Sequence, residues 1–117
     1  MTTLTAIDLG SVSKVAGGKV REIYRVSENL LIVCTDRVSA FDVVLPDGIP
    51  DKGRVLTQIS RFWFDRYADL IPNHMITTDV AGFPEELASF TDQLQGRAML
   101  VRRAKPLPVE CLSLIHI

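Results

Sequence analysis

The chain has 117 residues, is 47% hydrophobic and 23% charged, and carries a formal net charge of −1. That length suits one small domain, and that balance excludes an intrinsically disordered chain. Near-neutral charge removes the electrostatic case for nucleic acid or an anionic membrane as a partner, so the basic residues must act locally.

Leu4, Ile7, Leu9, Val12 and Val15 suggest a short helix or an irregular lead-in. The opening "MTTLTAIDLG" has neither a basic region nor an apolar run of a secretory signal, and no apolar run approaches the roughly 18 residues that span a bilayer. A cytoplasmic chain is expected. Cys34 and Cys111 are the only cysteines, and Cys34 sits inside an apolar run, which fits a buried free thiol better than a disulfide.

"KVREIYRV" alternates, with Val20, Tyr24 and Val26 on one side and Arg21, Ile23 and Arg25 on the other, and predicts a strand over 19–26. "SEN" is a turn, and the apolar run 30–35 predicts a central strand antiparallel to the first. Residues 39–45, "SAFDVVL", predict a third strand. "PDGIPDKG" is a loop. A helix is expected over 54–70, with Val55, Ile59, Phe62, Trp63 and Leu70 on one stripe, packing on the sheet through Ile59, Phe62 and Trp63. Pro72 closes it. Strands over 74–78 and 97–103 follow, with Pro84 at a helix start between them. The pattern is α+β, an antiparallel sheet with a packed helix.

Three stretches bear on chemistry. "GGKVREIY" puts two glycines before Lys19 and Arg21. Glycines let backbone N–H groups approach a ligand, and the basic side chains suit phosphate. It is no P-loop, because Lys19 is followed by valine and the run leads into a strand. G-x-G-x-x-G is absent too. A phosphate-covering loop between antiparallel strands, as in protein kinases, and a plain turn both stay open. "TDRVSAFD" offers Asp36 and Asp42 around Arg37 and Ser39, either for a polar substrate or as a strand-end turn in which Arg37 pairs with Asp36 on the surface. "KPLPVE", 105–110, is an extended, proline-stiffened segment able to present backbone groups to a flat base, or a connector. His74 and His116 lack partners at metal-ligand spacing, so no metal site is expected, and no Ser/His/Asp arrangement has identifiable roles.

In order, "GKVREIY", "TDRVSAFDVVLPDGIPDKG", "LTQISRFWF", "NHMIT" and "RAMLVRRAKPLPVEC" resemble the N-terminal part of the phosphoribosylaminoimidazole-succinocarboxamide synthase (SAICAR synthetase) family across nearly all of residues 14–111. "SAFD" and "PLPVE" are the most specific parts. The resemblance implies an ATP-grasping first lobe, similar to a kinase N-lobe, over residues 1–111. It implies ligation of L-aspartate to carboxyaminoimidazole ribonucleotide with ATP and magnesium. By carry-over, Gly18, Lys19, Val20 and Arg21 line the ATP phosphates and adenine. Lys105, Leu107 and Glu110 meet the base and ribose, while Asp36, Ser39 and Asp42 face the substrate.

The family's downstream Arg-Gly-Tyr and Ser-Gly-Ser segments and its metal motif are absent, so catalytic residues stay unassigned and the chain alone is expected to be inactive. The alternative is a non-catalytic nucleotide-binding module. "LSLIHI", 112–117, matches the translation of a transposon-adapter end and is expected to be a non-native tail; a natural apolar strand is the rival reading.

Overall fold

The alternation of "REIYRV" is that of a strand with one dry face. In the computed structural model, which describes residues 3–115, β2 (Arg21–Val26) buries Glu22, Tyr24 and Val26 and exposes Arg21 and Arg25. β1 (Lys14–Gly17) precedes it where an irregular lead-in was expected, and the strand expected over 19–26 begins at Arg21: the chain arrives at the glycines already paired, with Gly17 opposite Glu22. β3 (Asn29–Cys34) pairs antiparallel with β2 through the tight turn at Ser27 and Glu28.

The segment 39–45 is not one strand. It folds back on itself as β4 (Ser39–Ala40) and β5 (Val43–Val44), a two-stranded hairpin outside the main sheet. Phe41 and Asp42 form its tip, both at positive φ, 52° and 64°, as a two-residue turn of this handedness demands. The hydrophobic pattern could not signal this, because neither residue is the glycine or asparagine that usually marks such a turn.

β6 (Met75–Thr77) and β7 (Ala98–Arg102) complete a five-stranded antiparallel sheet in the order β1-β2-β3-β7-β6. Short 3-10 turns at Val80–Gly82 and Glu85–Phe90 run into α2 (Thr91–Leu94), so the segment after Pro84 is helical but mostly of the tighter kind. One sheet face, with Tyr24, Val26, Leu31, Val33 and Leu100, packs against Leu9, Leu87 and Leu94. Each such side chain contributes on the order of 1.5–3 kcal/mol.

α1 (Lys52–Arg66) lies on the opposite face, but not through its apolar stripe. Ile59, Phe62 and Trp63 are 51%, 58% and 48% exposed, which corrects the expected packing. The inward stripe is Gly53, Thr57, Ser60 and Phe64. Gly53 is forced to the contact: a Cβ there would lie 2.1 Å from the Cys34 carbonyl oxygen. Thr57 Oγ1 donates to the Arg97 carbonyl at 3.0 Å. Close approach selects small residues here, and periodicity cannot say which of two faces will be covered. The tail residues 112–115 form no strand and are exposed; His116 and the last residue of "LSLIHI" lie outside the described residues.

Candidate functional site

Gly18, Lys19 and Val20 link β1 to β2, and Gly18 N–H donates to the Arg21 carbonyl at 2.8 Å, closing the turn. The turn's carbonyls are held from within. Arg37 Nε donates to Lys19 O at 2.9 Å and Arg37 Nη2 to Gly18 O at 3.2 Å. The backbone N–H and the hydroxyl of buried Thr35 both donate to Val20 O, at 3.0 and 2.7 Å. Arg37 Nη1 also reaches Thr5 O at 2.9 Å and Glu22 Oε1 at 3.2 Å. Arg37 therefore does not pair with Asp36 on the surface, as the turn reading had it.

Glu22 anchors this cluster from the buried side. Burial alone pushes its carboxyl up, but hydrogen bonds from Tyr24 and Arg37 and the charge of Lys14 outweigh it and hold it below its ordinary value. Tyr24 donates to Glu22 Oε2 at 2.6 Å, and burial together with this acceptor pushes its hydroxyl well above the usual range.

Arg21 turns to the other sheet face, where its Nε lies 3.4 Å from Cys34 Sγ. It rims a cavity of about 310 Å³ whose floor is Ile23, Ile32 and Met99, aligned across β2, β3 and β7, and whose wall is Thr57, Ser60 and Phe64 of α1. Lys19 forms an ion pair with Asp42 at the β4–β5 tip, so an expected phosphate residue and an expected substrate residue meet directly. Ser39, half-buried, stands at the base of the same hairpin.

Asp36 has another role. It is fully buried. Its carboxylate accepts from Arg97 at 2.8 and 3.2 Å, from Leu4 N–H at 2.9 Å and from Gly53 N–H at 2.9 Å. Burial pushes this carboxyl up, but the Arg97 guanidinium and the two N–H donors overcome that and hold it at about 2. Asp51, at the start of α1, makes no side-chain cap. Asp36 thus supplies, from β3's end, the negative cap that the helix N-terminus wants. With no surface open to a solute, it is corrected from substrate residue to structural hub.

Lys105, Leu107 and Glu110 lie on an exposed stretch beyond β7 and make no hydrogen bond or ion pair with the glycine turn among the described residues. His74 packs edge-on against Phe64, ring centres 5.7 Å apart. No three His, Cys, Asp or Glu side chains gather to hold a metal among the described residues. No helix among them is long and apolar enough to cross a membrane. Sequence reasoning passed over Arg97 and Glu22. Glu22 carried a signal, a carboxylate on the buried side of an alternating strand; Arg97 carried none, because its partner lies 61 positions away.

The family model described as SAICAR synthetase matches residues 14–114. A phosphoribosylaminoimidazole-succinocarboxamide synthase of Geobacter sulfurreducens is 62% identical over 100 residues, covering 85% of this chain and 34% of the relative. That of Syntrophotalea carbinolica is 56% identical over 105 residues, covering 90% and 36%. A solved SAICAR synthase superposes with a TM-score of 0.81 at 36% identity, over 91% of this chain and 39% of that one. The SAICAR synthase from Saccharomyces cerevisiae, complexed with SAICAR, gives 0.78 at 37% identity, over 88% and 38%. The chain spans about a third of the length of the curated relatives it matches.

Proposed function

The chain belongs to the SAICAR synthetase family, and from that premise we propose that its residues 1–111 are the ATP-holding lobe of a purine-biosynthesis ligase, built like a kinase N-lobe. The observation that carries this reading is the glycine turn between two antiparallel strands, with its carbonyls tied inward and Lys19 and Arg21 beside it.

In the proposed reaction, ATP transfers its terminal phosphoryl group to the carboxylate of carboxyaminoimidazole ribonucleotide. The L-aspartate amine then attacks the acyl phosphate, the C–O bond to phosphate breaks, and the amide forms with loss of a proton. Holding the phosphates in line is this lobe's contribution. Lys19 and the turn's N–H groups take the phosphates, and Val20 packs near adenine. Lys105, Leu107 and Glu110 meet the base and ribose once the exposed segment folds over a nucleotide. Ser39 and Asp42 face the second substrate. Magnesium, when bound, would offset phosphate charge through ligands outside the described residues.

The test supplies ATP, L-aspartate and the carboxylated ribonucleotide to the 117-residue chain and to a full-length enzyme bearing it. Amide is expected from the full-length enzyme only. Product from the chain alone overturns the division of labour, and none from the full-length enzyme overturns the ligase reading in favour of a nucleotide-binding module.

A further inference from the structure

We propose that Arg37 is the positioning residue of the glycine turn: it sets the N–H groups of Lys19 and Val20 toward the phosphates of a nucleotide without touching the nucleotide itself. This rests on the nucleotide reading of the turn. A trans peptide is planar, with its C=O and N–H pointing in opposite directions. No peptide bond among the described residues is cis. Fixing the Gly18 carbonyl on Arg37 therefore turns the Lys19 N–H away from Arg37, and fixing the Lys19 carbonyl does the same for the Val20 N–H. The third carbonyl, of Val20, is tied to Thr35, so the turn cannot relax by rotating its last peptide. Among the described residues no acceptor takes the N–H of Lys19 or of Val20. Successive N–H groups on one side of a turn make an anion cradle.

A direct phosphate contact by Arg37 is the competing role, and donor accounting disfavours it. A guanidinium has five N–H groups. Four hydrogen bonds already run from Arg37 to Gly18 O, Lys19 O, Thr5 O and Glu22 Oε1, all within the protein. Buried Glu22, itself held by Tyr24 and Lys14, anchors the Nη1 arm of the fork while its Nε and Nη2 arms hold the two turn carbonyls. A lysine at 37 would keep the charge but could not bridge two successive carbonyls and a carboxylate.

The chain is titrated calorimetrically with ATP and, as the phosphate-free probe, with adenosine. Arg37→Gln and Arg37→Lys are both expected to weaken ATP by about tenfold or more, with adenosine shifted by less than about twofold. Full ATP affinity in Arg37→Lys would show that charge and not the fork matters, and overturns the proposal. Unchanged ATP affinity in Arg37→Gln overturns it while leaving the nucleotide reading intact. No ATP binding by the unmodified chain overturns the nucleotide reading and this inference with it. Should Arg37→Gln fail to fold, Glu22→Gln carries the test: a loss for ATP and not for adenosine supports the positioning role, and unchanged ATP binding overturns it.

Discussion

Asp36 and Arg97 stand 61 positions apart and meet through two hydrogen bonds, 2.8 and 3.2 Å, with both side chains shut from water. The same carboxylate caps α1 at Gly53 and ties down the N-terminal segment at Leu4. One buried charge pair thus joins the lead-in, the end of β3, the helix start and the start of β7. Removing one member leaves the other uncompensated, which costs about 3–5 kcal/mol at such sites. Asp36→Ala is expected to lose that much in urea unfolding followed by circular dichroism. A loss below about 1 kcal/mol would rule out the hub role.

The pair also sets an acid limit. The Asp36 carboxyl titrates at about 2 when folded against an ordinary 3.8, so below neutrality the unfolded chain takes up its proton first. The stabilisation is complete above the ordinary value and is lost as pH falls through 3.8 toward 2. A gap of nearly two units is worth roughly 2 kcal/mol. Unfolding free energy measured between pH 5 and pH 2 should fall by at least this much in the parent chain. In Asp36→Asn the Asp36 share of that slope should vanish; equal slopes would refute the assignment.

Gly53 carries a packing prediction. A methyl at this position would meet the Cys34 carbonyl at 2.1 Å and Arg97 Nη1 at 2.7 Å, which are tied to each other at 3.1 Å, with Arg97 Nη1 also donating to Asp36. Gly53→Ala should therefore destabilise the chain by about 1–3 kcal/mol despite alanine's better helix propensity. Thermal unfolding distinguishes the two: a raised midpoint would mean that α1 can lift off the sheet at little cost.

Lys19→Ala tests the phosphate assignment directly. Removing a charge-assisted contact should weaken ATP binding by about 1.5–3 kcal/mol. Asp42→Asn, which frees Lys19 from its ion pair at the hairpin tip, should leave ATP binding unchanged or tighten it. Calorimetric titration of both variants reads this. Equal ATP affinity in Lys19→Ala and the parent would return Lys19 to a solvated surface residue.

The tail carries the last prediction. Leu112, Leu114 and Ile115 are 72%, 56% and 95% exposed, so they contribute little burial to the fold. Deleting residues 112–117 should leave the unfolding midpoint in place and raise solubility by removing exposed apolar surface. A lowered midpoint would show that these residues pack.

The strands at 21–26, 29–34, 75–77 and 98–102 were legible in the sequence, because alternation and apolar runs report the solvation of a strand's faces and that is a local property. The family, and with it the glycine turn, was legible for a similar reason: the motif residues stand close together in the chain. The side of α1 that packs was not legible. Its apolar stripe is real, but Gly53 and Thr57 fit the sheet more closely, and only the three-dimensional distance to Cys34 and Arg97 reveals that. The role of Asp36 was hidden likewise. A carboxylate in "TDRVSAFD" looks the same whether it faces a substrate or a guanidinium 61 residues on, and it is burial that separates the two, by making an unpaired charge too costly to keep. Local pattern fixed the elements, then, while the partners of Asp36, Arg37 and Glu22 were decided by which chain segments the antiparallel sheet brings side by side.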